Sequence, residues 1–343
     1  MTRVWGTVRE VSNQRRLAAV GTDEVVVVGE NLVDLVVTDE GMAPIPGGGP
    51  FTVARTIARL GISPHFFSGV ANDHFGAQLR DALLDDGVII EFSQPSTRPT
   101  SLAVADSRGG SATYTFYLTD TAAFEVDTAA ALERFGALPI PAALYVGTLG
   151  LVVEPMASAA LALVKAADPS TLVVIDPNCR PSATADPIRY RSRLDELFGR
   201  ADIVKASTDD LEYIDPDHDH LDTARSIAER GVPWIIITDG PRPVRLLGPG
   251  GMSEFPVDDR PIVDTIGAGD ALVGGFLSWW VGHRLDRHAI NDRGAVNDAL
   301  IAAMTIAAIT CEHHGALPPT RSDLVDSPSW EWLTAPRRSD SLT

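Results

Sequence analysis

Val263-Asp264-Thr265-Ile266-Gly267-Ala268-Gly269-Asp270 runs directly into an apolar stretch, residues 271–281, that has the length and pattern of a buried helix. Gly267, Ala268 and Gly269 are small, so the backbone here can approach a ligand closely and aim several N–H groups at one point. That point falls at a helix N-terminus, where the macrodipole favours negative charge. Such a nest can hold a phosphoryl group without a lysine. Asp270, in the first turn, then stands beside the transferring group, where a carboxylate accepts the proton of an attacking hydroxyl. Taken alone, the four residues fit a tight turn capped by Asp270 equally well.

Upstream, short β-branched runs at 25–28, 144–146, 172–175, 203–204 and 234–238 alternate with helical patterns at 51–60, 76–86, 155–167, 189–197 and 221–230. Strands alternating with helices of this length make βαβ units around a mostly parallel sheet covered on both faces. From 271 to about 310 the pattern is almost wholly helical. Two places break the rhythm. Residues 32–37 alternate, and 101–116 read as paired strands joined through a turn at Arg108-Gly109-Gly110. These belong to a small sheet beside the main one, either a lid over an active site or an edge extension.

Other chemistry-bearing residues collect at the ends of the predicted strands. Pro46-Gly47-Gly48-Gly49-Pro50 leads into a helix, where glycines either cradle a ligand or turn the chain. Asp34 lies just after the first strand, and Asp176-Pro177-Asn178-Cys179-Arg180 follows the strand at 172–175. Open α/β sheets bind ligands at such carboxyl ends. Asp217-His218-Asp219-His220 has metal-ligand residue types, but its place in an acidic turn after Pro216 favours a solvated loop. Trp279-Trp280 reads as core, and His313-His314 as a polar helix terminus.

The chain has 343 residues, with 46 acidic against 28 basic side chains and a formal charge of −18. That charge repels phosphate backbones and anionic lipid, so nucleic acid and membrane surfaces are excluded as partners. The lysines are Lys165 and Lys205, and neither follows a glycine, so no phosphate loop of the G-x-x-x-x-G-K-[ST] type exists. Cys179 and Cys311 have no paired spacing, which points to a reducing cytoplasm rather than a disulfide or zinc framework. The longest apolar passages, around 142–153 and 271–281, are too short or too interrupted to span a bilayer. Residues 1–23 and 327–343 read as tails, leaving one large domain over 24–326.

With these residues in hand, the chain resembles the ribokinase-like (PfkB-type) carbohydrate kinases, nearest to their fructokinase branch. The motif D-T-x-G-A-G-D at 264–270 is similar to the family's C-terminal signature, and residues 47–61 (GGGPFTVARTIARLG) to its N-terminal glycine signature. Residues 69–76 (GVANDHFG) resemble the next block, 29–35 (GENLVDL) the fructokinase opening, and 176–181 (DPNCRP) its D-P-N-x-R-P element.

The resemblance implies a three-layer ribokinase-like α/β fold with a mostly parallel central sheet, helices on both faces and a β-sheet lid from about 32–45 and 99–117. It implies transfer of the γ-phosphoryl group of ATP to a sugar hydroxyl, with Mg2+ bridging the phosphates. By matching position, Asp270 is the base, and Gly267, Ala268 and Gly269 form the anion hole. Asp34, Gly48, Gly49 and Thr52 would bind the sugar, and Ser207, Thr238 and Gly240, with Gly269, the nucleotide. Asp210 would reach magnesium through water, and Asp264 with the carbonyls of Ile266 and Gly315 would hold K+. A homodimer through the lid is compatible with the apolar alternation in 101–116.

Four departures bear on specificity. Thr52 replaces the usual asparagine, Asp210 a glutamate and Pro243 a glycine, and Leu118 stands where an arginine is frequent. The resemblance to the fructokinase branch makes fructose the leading acceptor, with 2-keto-3-deoxygluconate, another ketose or a nucleoside as alternatives. A catalytically silent sugar or nucleotide sensor is the alternative of another class.

Overall fold

Four consecutive valines make strand β1 (Val25–Val28), every side chain of it fully buried, and the main sheet is built around it. The structure is a computed structural model that describes residues 23–38, 41–106 and 113–324. β1 pairs in parallel with β4 (His65–Phe67) on one side and β9 (Ala143–Gly147) on the other. Beyond β9 come β10 (Leu172–Asp176), β11 (Ile203–Ser207) and β12 (Trp234–Thr238), all parallel. An antiparallel hairpin, β13 (Val244–Gly248) and β14 (Gly251–Phe255), completes the eight-stranded sheet.

Because successive side chains point to opposite faces, each apolar strand feeds two cores. Val26, Val28, Leu144, Val146, Val173 and Ile175 face one layer with helices α4 (Met156–Ala166) and α5 (Pro187–Phe198). Val25, Val27, Ala143, Tyr145, Leu172 and Val174 face the other, with α1 (Gly49–Arg59), α8 (Ala268–Gly282) and α9 (Arg293–Thr310). Burying one such valine contributes about 1.5–3 kcal/mol. Small residues let the second layer close up. A Cβ on Gly274 of α8 would lie 2.5 Å from the Thr56 Cβ of α1, and one on Gly275 3.1 Å from the Ala303 Cα of α9.

The two stretches that break the alternation pair with each other, not with the main sheet. β3 (Gly41–Gly47), β2 (Leu32–Thr38), β7 (Leu102–Asp106) and β8 (Thr113–Tyr117) form a separate four-stranded sheet in that order, so the edge-extension reading falls away. β2 and β7 run parallel, whereas β2–β3 and β7–β8 are antiparallel. The proposed turn at Arg108-Gly109-Gly110 and nearly all of both tails lie outside the described residues. A third, two-stranded sheet joins β5 (Gly69–Ala71) and β6 (Gln94–Ser96).

Several elements go beyond the sequence reading: the β13–β14 hairpin, α3 (Thr128–Ala137), and α6 (Thr208–Ile214) on the exit of β11. The predicted helices at 76–86 and 221–230 are α2 (His74–Asp86) and α7 (His220–Glu229). Asp219 caps α7, its carboxylate accepting the N–H groups of Leu221 and Asp222, and His218 Nδ1 lies 3.0 Å from Asp215. Trp279 and Trp280 are buried as expected, with Trp280 stacked on Phe276.

Candidate active site

At the carboxyl ends of β1, β9, β10 and β11 lies a cleft of about 530 Å³, bounded on one side by the small sheet and on the other by the head of α8. Gly267 caps α8 with φ 76°, and a Cβ there would come within 2.5 Å of the Ala316 Cβ, so both conformation and space select glycine. First-turn N–H groups of a helix have no intrahelical acceptor. Ala268 N–H turns back to Thr265 O at 3.2 Å. Gly267 and Gly269 both line the cleft.

Sequence reasoning overlooked the cation at this nest. Lys205, in the middle of β11, is buried, and its Nζ would be 2.9 Å from a Cβ on Gly269. It donates to Asp176 Oδ2 at 3.0 Å. Burial alone would pull the lysine down, but the Asp176, Asp210 and Asp270 carboxylates hold it above its ordinary value. A fixed ammonium therefore stands beside Gly269, so positive potential at the head of α8 is not left to backbone groups alone. The signal in the sequence was a lone lysine in a β-branched strand, three residues before a helix.

Asp270 follows in the first turn of α8. Burial, with a smaller push from Glu30, raises its pKa to about 6 against the pull of Lys205 and Arg180. Its Oδ1 is enclosed and has no protein hydrogen-bond partner. A Cβ on Gly49 would lie 3.0 Å from that oxygen, so glycine at 49 keeps the approach open. Across the cleft, Asp34 of β2 is likewise raised to about 6, by burial first and by Asp270 second, with Arg180 opposing. Gly48 (φ 109°) and buried Thr52 complete this wall, and Thr52 N–H donates to Gly48 O at 2.9 Å. Tyr114 and Phe116 of β8, stacked at 6.2 Å between centroids, bring the small sheet into the lining. Arg180 enters from the exit of β10, where its guanidinium donates to Asn178 Oδ1 at 2.7 Å.

Of the remaining predicted residues Ile266 lines the cleft, and Ser207, Asp210, Thr238, Gly240, Asp264 and Gly315 do not. Ser207 and Thr238 are register partners at the ends of β11 and β12, and Gly240 (φ 55°) is exposed just beyond. Ser207 and Asp210 form a capping box on α6: Asp210 Oδ2 accepts the Ser207 N–H and Oγ–H, both at 2.7 Å, while Oδ1 accepts Cys179 N–H at 2.6 Å. Asp264 fastens its own loop, with Oδ1 accepting Ile266 N–H at 3.0 Å and Oδ2 accepting Gly315 N–H at 2.9 Å. Among the described residues no group of three His, Cys, Asp or Glu side chains could hold a metal ion. A second cavity of about 500 Å³, at the opposite ends of the strands beside Glu24, Gly61, Trp279 and Arg284, contains none of the predicted catalytic, substrate, nucleotide or metal residues. Among the described residues no helix is long and apolar enough to cross a membrane.

The family model for pfkB family carbohydrate kinases matches residues 22–323. The chain belongs to this family. It is a carbohydrate kinase with the ribokinase-like fold. It is 32% identical over 308 residues to a fructokinase of Klebsiella pneumoniae, covering 87% of this chain and 97% of that one. A fructokinase of Rhizobium leguminosarum bv. trifolii is 31% identical over 255 residues, 73% of this chain and 77% of its own. Among solved structures, the Vibrio cholerae O395 fructokinase in its fructose, ADP and calcium ion bound form has a TM-score of 0.74 at 25% identity, covering 85% of this chain and 94% of that one. The aminoimidazole riboside kinase of Salmonella enterica, complexed with its riboside and an ATP analogue, has a TM-score of 0.72 at 26% identity over 85% of this chain and 95% of that one.

Proposed function

We propose that this PfkB kinase transfers the γ-phosphoryl group of ATP to a hydroxyl of fructose or a closely related ketose. The observation that carries this reading is the free Asp270 Oδ1, enclosed in one cleft between the glycine head of α8 and the Asp34–Gly48–Gly49 wall. Asp34, Gly48, Gly49 and Thr52 hold the sugar so that one hydroxyl faces Asp270. Asp270 takes the hydroxyl proton as the oxygen attacks the γ-phosphorus, and the bond to the leaving ADP oxygen breaks. Gly267 and Gly269 present their N–H groups to the transferring phosphoryl oxygens, Ala268 keeps the two apart with its own N–H turned to Thr265 O, and Lys205 adds a fixed positive charge beside them. Ser207, Thr238 and Gly240 serve the nucleotide side. Tyr114 and Phe116 close over the acceptor, which makes the small sheet a lid and leaves its outer face as the candidate dimer surface.

Magnesium fits this donor set in the way the ion is usually held, by one or two carboxylates plus phosphates and water. Asp176 Oδ1 is buried without a partner, and Asp210 keeps acceptor capacity beyond its capping bonds. Bound there, the ion would neutralise charge building up between the β- and γ-phosphates. Asp264 likewise keeps lone pairs after accepting two amides, so K+ is compatible with it and the Ile266 and Gly315 carbonyls.

Fructose is favoured by the K. pneumoniae relative, which covers nearly the whole of its length. The riboside kinase structure supports a nucleoside as the second reading. A coupled ADP-release assay over ketoses, 2-keto-3-deoxygluconate and nucleosides tests both. Fructose is expected to give the highest kcat/KM. If no acceptor raises ADP release while a sugar still shifts the melting temperature, the silent-sensor alternative replaces this reading.

A further inference from the structure

Glu30, just past β1, is 1% exposed and accepts hydrogen bonds from three separate points. Its Oε1 takes Gly49 N–H at 3.2 Å, at the head of α1, and also the Thr148 hydroxyl at the exit of β9. Its Oε2 takes Gly150 N–H at 2.8 Å. A buried carboxylate without partners would be costly, and this one is fully engaged. Around it the backbones are too close for side chains. A Cβ on Gly48 would lie 3.0 Å from Glu30 O, and one on Gly150 2.7 Å from Gly29 Cα.

Thr148 adds a strained element to this junction. It has φ 56°, a left-handed conformation that a β-branched residue adopts only when its surroundings hold it there. Its hydroxyl bond to Glu30 is part of that hold, and its Cγ2 packs against Gly49. Gly49 in turn is the residue whose missing Cβ leaves room at Asp270 Oδ1. Glu30, Gly49, Thr148 and Asp270 all line the same cleft.

We propose that Glu30 is a positioning residue for the acceptor subsite: its carboxylate joins Gly49 at the head of α1 to Thr148 and Gly150 at the exit of β9, and so sets the distance between the sugar-side glycines and the Asp270 oxygen. Glu30 makes no bond to the transferring group. Burial is the main cause that raises Asp270, and the Glu30 carboxylate adds a smaller push, so the junction couples geometry to the readiness of the base. This inference rests on the sugar-kinase reading above.

Glu30→Gln is the same size but carries an NH2 that must face either Gly150 N–H or the Gly49 and Thr148 donors, so one arm of the junction breaks. Thr148→Val removes the hydroxyl and keeps the shape, whereas Thr148→Ser keeps the hydroxyl. The test is steady-state kinetics of the full chain with fructose and ATP, each varied in turn, together with thermal melting and a pH profile. The expected result for Glu30→Gln and Thr148→Val is a loss of about 10- to 100-fold in kcat/KM for the sugar, with KM for ATP within about twofold. Thr148→Ser should recover about tenfold over Thr148→Val. In Glu30→Gln the acid limb should also move to lower pH, because a charge that favours protonated Asp270 has gone. An active wild type with an unaltered Glu30→Gln variant overturns this inference alone, as does equal loss toward sugar and ATP with no serine rescue. A wild type that phosphorylates no acceptor overturns the sugar-kinase reading and this inference with it.

Discussion

Asp270 and Lys205 line the same cleft, and the proposed mechanism gives them opposite tasks that their substitutions should separate. Asp270→Asn keeps volume and removes the proton acceptor. Its kcat should fall by about 10³-fold or more while fructose still raises the melting temperature, and near-normal turnover would remove Asp270 from the base role. The pKa of about 6 for Asp270 sets a sign. In the proposed role the base works ionised, so kcat/KM should be flat above neutrality and fall as pH drops through about 6. Asp34, raised to the same region, titrates within that limb and weakens sugar binding as it protonates. Lys205→Met strands the Asp176 carboxylate, which is fully buried, and should cost about 3–5 kcal/mol in urea unfolding. Adding Asp176→Asn removes the stranded charge and should restore most of that stability, while the rate stays low because both the ammonium and a proposed magnesium ligand are gone. Recovery of turnover in the double variant would show that Lys205 acts only as a structural counter-ion.

At the level of single elements, the head of α8 makes a sharper distinction between two glycines. Gly267→Ala puts a Cβ at φ 76° and against Ala316, a conflict with both backbone and neighbour that costs about 1–3 kcal/mol along with turnover. Gly269→Ala has no backbone conflict and meets the end of the Lys205 side chain, which must shift against its bond to Asp176, so kcat should drop about tenfold or more with a smaller melting loss than in Gly267→Ala. Equal melting losses in the two variants would contradict this account. Elements of this kind were readable from residue patterns because their determinants are local: β1 is four valines, and α8 is an apolar run behind Gly-Ala-Gly. The β13–β14 hairpin was passed over although Gly248-Pro249-Gly250-Gly251 marks its turn, because the strands beside it alternate only partly. α6 spans seven residues, too few for a periodic signal. Motif residues Asp34, Gly49 and Asp270 do converge on one cleft. Glu30 and Lys205 escaped assignment because their meaning lies in partners far along the chain: Thr148, 118 residues away, and Asp176, 29 residues away. No local pattern encodes such distances.

For the molecule as a whole, the charge of −18 has a consequence for encounter that the site's own cations do not cancel. Lys205 is buried and ringed by Asp176, Asp210 and Asp270, while Asp34 and Glu30 add further carboxylates to the cleft. Arg180 is the other cation that lines the cleft, and it is partly spent on Asn178 and the Cys179 carbonyl. An approaching nucleotide polyanion therefore meets a repulsive field until it is close enough for Lys205 and the head of α8 to dominate. Repulsion acting over more than about 10 Å is screened at 0.1 M salt, while contacts inside the cleft are screened much less. Raising ionic strength should therefore speed productive encounter, the opposite of the behaviour of enzymes that steer substrates with a basic funnel. Between roughly 20 and 200 mM sodium chloride, at fixed potassium and magnesium, kcat/KM for ATP should rise about two- to fivefold, with kcat little changed. Fructose, being neutral, should show no such dependence in its own kcat/KM at saturating ATP. A fall in kcat/KM for ATP over that range would mean that the cleft presents net positive potential at its mouth, and that the acidic surface plays no part in governing access to it.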